Sequence, residues 1–192
     1  MKSNHFLVVA YTFLDIARTP SVIAAQQVNG SAELYGRPGI SRDFTAFTPK
    51  EAEFIARRDS FYLATASETG WPYVQHRGGP EGFLRVLDET TLGFADFRGN
   101  RQYVSVGNLA GSDKVSLFLM DYAHRRRLKI LGHARITEDP EVLARLAVPG
   151  YRAKVERGIL IEVAAFDWNC PQHITPRFSL DELKAMAAAR DG

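Results

Sequence analysis

Three short stretches of this sequence carry side chains able to do chemistry. The first is Gly99-Asn100-Arg101-Gln102, which follows an apolar strand-like run from Thr91 to Phe97 and precedes a helix-like segment. A helix start leaves backbone N–H groups without intrahelical partners and carries the positive end of the helix dipole. A guanidinium beside it adds a forked donor, and the combination suits a phosphate monoester. A plainer account is also open: Asn100 caps a helix expected over about 100–109, and Arg101 is a solvated side chain in its first turn.

The second stretch runs from Pro72 to Pro80. Gln75, His76 and Arg77 interrupt the apolar alternation of a buried strand, and Gly78-Gly79 permits close backbone approach. This pattern fits a strand that lines a polar cavity and faces a flat ligand. An exposed edge strand ending in a Gly-Gly-Pro turn fits equally.

The third stretch, Phe166 to Phe178, gathers Trp168, Cys170, His173 and Arg177 around two prolines. Cys170 and His173 have a metal-site spacing but no second pair to complete it, so no metal is expected. Cys170 could give haem a thiolate ligand, and as a nucleophile it would need a base and a lowered pKa. The stretch also reads as a loop packed over the rest of the fold. His76 and His173 are the candidates for taking a proton near neutral pH.

The remaining charge argues against other functions. A net charge of +2 over 192 residues is too small to indicate nucleic acid. The basic run His124-Arg-Arg-Arg127 with Lys129 reads instead as a hairpin tip with one inward arginine. A single cysteine cannot form an internal disulfide, which favours a reducing, cytoplasmic setting. The apolar run Phe6–Leu14 stands behind Lys2 like a signal peptide, but Asp15 and Arg18 follow it at once. It is also too short to span a bilayer.

These residues need elements to position them. Thr19-Pro20 opens a short helix that runs to about Val28, and Asn29-Gly30 stops it. The stretch from Tyr35 to Phe47 reads as a loop. Thr48-Pro49-Lys50-Glu51 is a capping box with proline at the first helical position. Strands are expected at Phe61–Ala66, Trp71–Arg77, Phe83–Leu87, Thr91–Ala95, Lys114–Met120, Arg126–Ile136 and Gly158–Phe166. Short helices are expected near Glu141–Leu146 and after Ser179. About six alternating strands with few intervening helices argue for an antiparallel barrel rather than a parallel sheet.

The order Ala64-Thr-Ala-Ser67, Gly70-Trp-Pro-Tyr73, Leu92-Gly-Phe-Ala-Asp-Phe-Arg-Gly-Asn-Arg101, Val115-Ser-Leu-Phe-Leu119 and Leu128-Lys-Ile-Leu-Gly-His-Ala134 resembles the pyridoxamine 5′-phosphate oxidase-like family of FMN-binding split β-barrels. The resemblance covers roughly Thr48 to Phe166. It implies a mainly β, α+β fold: a six-stranded antiparallel split β-barrel with short flanking helices. The division is an arm at 1–47, a barrel domain at 48–178 and a C-terminal helix at 179–192.

The resemblance further implies a homodimer with FMN between the subunits. The phosphate falls on Asn100, Arg101 and Gln102, the last standing where the oxidases have lysine. The flavin ring falls along Gln75, His76 and Arg77. Arg127 and, from the tail, Trp168 and Arg177 complete the implied cofactor contacts. The tail lacks the Arg-x-His pair of the true oxidases, so the implied activity is that of an FMN-dependent oxidoreductase with a different substrate. A flavin- or haem-binding barrel without turnover is the alternative.

Overall fold

Period-two alternation of apolar side chains decides the architecture. The computed structural model of the chain describes residues 13–36, 45–168 and 171–189. Cys170, most of the apolar run 6–14 and residues 37–44 of the expected loop lie outside them. Seven strands form one sheet: β1 (Ser60–Ala66), β2 (Pro72–Gly78), β3 (Arg85–Val86), β4 (Thr91–Phe97), β5 (Lys114–Asp121), β6 (Arg126–Thr137) and β7 (Val155–Trp168). Their order is β2-β1-β5-β6-β7-β4-β3, and every pairing is antiparallel. The expectation of a six-stranded barrel is corrected to seven strands; the strand expected at Phe83–Leu87 is present as β3 but is only two residues long.

One face of the strands fills the interior. Phe61 and Leu63 of β1, Leu117 and Leu119 of β5, and Leu128 and Ile130 of β6 are all buried. Each such side chain contributes about 1.5–3 kcal/mol of burial free energy. Strand β4 is buried on both faces from Leu92 to Asp96. A helix over the outer face, α6, explains this: its Leu146 joins Ala95 and Leu160 in a second small core.

The helices are α1 (Phe13–Ala17), α2 (Pro20–Val28), α3 (Ala32–Gly36), α4 (Pro49–Ala56), α5 (Val104–Gly111), α6 (Pro140–Leu146) and α7 (Leu180–Ala188). Thr19 caps α2 and Asn29 ends it. The α3 helix takes Tyr35 and Gly36 out of the expected loop. The α4 capping box forms between Thr48 and Glu51, and Glu51 is buried. Its free oxygen, Oε1, accepts from Trp168 Nε1 at 2.7 Å, tying α4 to the end of β7.

The sheet bends at a bulge where β6 and β7 shift register between Leu131 and Gly132. A Cβ on Gly132 would stand 2.5 Å from the Glu162 carbonyl oxygen, so the strands approach there only because the residue has no side chain. A second shift, between Asp96 and Phe97, lies at the exit of β4.

Candidate functional site

Adjacent residues on a strand face opposite sides, and this divides the polar run of β2. Gln75 and Arg77 turn to one face; Val74 and His76 turn to the other. Gln75 and Arg77 meet a cleft of about 220 Å³ whose other walls include Asp96, Asn100, Arg101 and Glu156. It lies where the exit of β4, the loop 98–103, the start of α5 and the start of β7 converge on β2.

Two carboxylates organise the charge. Arg77 Nη1 lies 2.6 Å from Asp96 Oδ1, with side chains 13% and 7% exposed. Arg157 Nε is 3.6 Å from Asp96 Oδ2, and its Nη2 is 3.3 Å from Glu156 Oε2. Arg98 Nε donates to Glu156 Oε1 at 2.7 Å, and Tyr103 OH donates to the same oxygen at 3.2 Å. The hydrogen bond from Arg98 holds the Glu156 carboxyl below its ordinary range; desolvation opposes it, and Tyr103 and Arg157 assist. Three guanidiniums (Arg77, Arg98 and Arg157) therefore pair with two carboxylates, and Arg101 adds a fourth on the cleft wall, which leaves positive charge for an anion. Among the described residues the Nε atoms of Arg77, Arg85, Arg127 and Arg157 are buried without a hydrogen-bond partner, and of these Arg77 lines the cleft. Buried donors of that kind call for an acceptor.

The loop corrects one expectation. The α5 helix begins at Val104 rather than at Asn100, and its N-cap is Tyr103 in the left-handed region at φ 53. Asn100 instead accepts the Gln102 N–H on its Oδ1 at 3.1 Å, closing a turn with the second residue beyond itself. Arg101 is also left-handed, at φ 61, which prevents helix from running through it. Arg101 therefore stands on a loop before the helix and not in its first turn. The helix start still meets the cleft: the Tyr103 side chain makes no capping hydrogen bond to it, and Ser105 and Val106 form part of the wall. Ser105 Oγ donates to Gln75 Oε1 at 2.8 Å, and Asn108 Nδ2 donates to Thr65 Oγ1 at 2.9 Å, docking the helix on β2 and β1.

Of the residues expected at a cofactor, Gln75, Arg77, Asn100 and Arg101 come together here. Gln102 offers the loop its backbone N–H, and its side chain does not line the cleft. His76 faces the other side of β2, with its ring edge-on to Tyr62 at 5.7 Å. Arg177 lies 5.1 Å over the Tyr122 ring, and with Tyr62 and Tyr122 it borders a separate hollow on that outer face. Burial, then the hydrogen bond with Tyr62, pushes the Tyr122 hydroxyl up. Arg127 stands over Phe118 at 6.0 Å. Trp168 packs edge-on to Phe54 at 4.7 Å besides its bond to Glu51. His173 is exposed in a turn at φ 61.

Sequence reasoning missed Asp96, Tyr103, Glu156 and Arg157. An acid inside the apolar run Leu92–Phe97 was the one available signal for Asp96. Glu156 and Arg157 precede the apolar part of β7, so alternation gave no hint of them. Among the described residues no helix is long and apolar enough to cross a membrane.

The model of the pyridoxamine 5′-phosphate oxidase family matches residues 47–165. No curated protein matches the chain. Among solved structures, an FMN-binding protein from Syntrophomonas wolfei subsp. wolfei is 11% identical, with 63% of this chain and 85% of that one covered at a TM-score of 0.50. A conserved hypothetical protein from Mycobacterium tuberculosis is 18% identical, with 72% and 95% covered at 0.50. A protein from Clostridium acetobutylicum, related to general stress protein 26 of B. subtilis, is 15% identical, with 70% and 94% covered at 0.47. At these identities the likeness is one of fold.

Proposed function

Because the chain belongs to the pyridoxamine 5′-phosphate oxidase family, we propose that it binds FMN, with the phosphate monoester in the cleft between β2, β4 and α5. One observation carries the reading: Arg77, held by Asp96 at 2.6 Å, keeps a buried Nε donor without a hydrogen-bond partner at a cleft with surplus positive charge. Arg101 and the uncapped start of α5 add donors from the loop side. The donor set suits a dianionic phosphate, for which arginine forks are well matched. Gln75, held by Ser105, is positioned to bond the polar part of the ligand next to its phosphate.

Bound FMN would supply hydride and electron transfer, while the protein binds it, orients it and tunes it by hydrogen bonds. The chain's own contribution is a barrel domain at 48–178 that holds the cleft open between strand ends. The substrate differs from pyridoxamine 5′-phosphate, because the tail around His173 lacks the arginine partner of the true oxidases. A reducing, cytoplasmic setting suits its single cysteine.

The working unit is a homodimer with flavin at the subunit boundary. Supporting this, the outer side of the β2–β1 hairpin leaves Val74 60% exposed on the same face as the exposed Tyr62, and Trp71 is 75% exposed at the turn of the hairpin. Apolar surface of this kind favours burial against a second copy. His76 and Arg177 lie on that same side. They would meet the flavin only through such an assembly.

A second reading, a flavin carrier without turnover, is favoured by one observation: neither His76 nor His173 lines the cleft. Titrating purified protein with FMN tests the cofactor, and oxidation of reduced nicotinamide by the loaded protein then separates enzyme from carrier. Failure to take up FMN would remove both readings.

A further inference from the structure

Glu156 is an acid in a cleft that suits an anion, so its charge opposes the ligand. Its hydrogen bonds point to another role. One oxygen, Oε1, accepts from both Arg98 Nε at 2.7 Å and Tyr103 OH at 3.2 Å. These two residues bracket Gly99-Asn100-Arg101-Gln102. The main chain ties both ends: Arg98 N donates to Lys154 O at 2.8 Å, and Gly107 N donates to Tyr103 O at 2.8 Å, whereas the Glu156 carboxylate joins one end to the other. Within the loop Arg101 and Tyr103 hold left-handed conformations at φ 61 and 53. Such backbone is unfavourable for residues with a side chain and persists only where its surroundings hold it. Glu156 itself is held: its side chain is 9% exposed, and Arg157 approaches its second oxygen at 3.3 Å.

We propose that Glu156 is the positioning residue of the anion loop. By gripping Arg98 and Tyr103 with one oxygen, it closes the loop and keeps Arg101 and the start of α5 turned toward the cleft. The inference rests on the FMN reading and gives that site a residue that acts through its neighbours rather than on the ligand.

The sign of a mutational effect tests it. If Glu156 acts only as a charge in the cleft, then Glu156→Ala and Glu156→Gln both strengthen FMN binding. If it holds the loop, Glu156→Ala weakens FMN about tenfold, as expected for losing hydrogen bonds to a charged group. Riboflavin, which lacks the phosphate, keeps its affinity in that variant. The amide oxygen of Glu156→Gln accepts the same two bonds without the charge, so FMN affinity returns to the wild-type level or better. Fluorescence titration of the three proteins with both flavins reads all of this.

Tryptic cleavage after Arg98 and Arg101 in flavin-free protein reports the loop alone. The proposal expects faster cleavage in Glu156→Ala than in wild type and in Glu156→Gln. Tighter FMN binding by Glu156→Ala overturns it, and so does unchanged cleavage. Wild-type protein that ignores FMN while Glu156→Ala is cleaved faster overturns the flavin reading and supports the hold on the loop.

Discussion

Arg77 on β2 and Asp96 on β4 form an ion pair at 2.6 Å, although β1, β5, β6 and β7 separate their strands in the sheet. The sheet therefore curls until its two ends face each other, and the cleft lies where they meet. Beneath the pair, Phe61 and Phe94 pack edge-on at 5.2 Å, so the same approach is built into the core. The split in the barrel and the candidate site are one feature.

Asp96→Ala should then damage both stability and binding. It leaves Arg77 without its carboxylate and takes from Arg157 one of its two acidic neighbours. Removing one partner of a buried pair costs on the order of 3 kcal/mol. Urea denaturation should show a loss of this size, and FMN affinity should fall with it. A variant as stable as the wild type would contradict the role given to this pair.

Arg101→Ala should separate the two flavins. Its guanidinium lies on the loop at the cleft wall and is exposed, so its loss should leave the fold intact. FMN should weaken about tenfold, the scale of a charge-assisted hydrogen bond, while riboflavin is little affected. Raising ionic strength should weaken FMN in the same direction by screening the exposed charge. Equal losses for both flavins would contradict the phosphate assignment.

Glu51 gives the fold an acid sensitivity. Burial pushes its carboxyl up, but hydrogen bonds from Thr48 and Trp168 outweigh this and hold it below its ordinary value of 4.5. A group lowered in the folded state adds stability above its unfolded pKa and loses that contribution as pH falls through the folded one. Trp168→Phe removes the indole donor, so it should cost about 1.5 kcal/mol at neutral pH and flatten the acid side of the profile. Melting temperatures from neutral to acidic pH check this; parallel profiles for the two proteins would argue against it.

Gly132→Ala tests the bend of the barrel. Its Cβ would meet the Glu162 carbonyl oxygen at 2.5 Å and the Ile161 side chain at 2.8 Å. Overpacking of this kind costs about 1–3 kcal/mol. Denaturation of the variant should show that loss, and an unaltered midpoint would contradict the close approach at the bulge.

Much of this was legible in the sequence because local chemistry agreed with the final fold. Thr19-Pro20, the Thr48–Glu51 box and Ser179 start helices where their capping chemistry requires. The alternation in Val115–Leu119 and Leu128–Ile130 matches buried inner faces. Asn100 was ambiguous because one side-chain oxygen can cap a helix or close a turn, and here it closes a turn. Gln75, His76 and Arg77 stand together in the sequence as a flavin-lining strand, yet period two sends His76 away from its neighbours. Glu156 and Arg157 depend on contacts between distant strand ends, which no local pattern encodes, and for Asp96 the local sign is an acid inside an apolar run.

The central claim is best tested by titrating purified protein with FMN and with riboflavin while following absorbance and flavin fluorescence. The account predicts saturable uptake with FMN bound more tightly than riboflavin, and loss of that preference in Arg101→Ala. Protein that stays colourless and takes up neither flavin would contradict it.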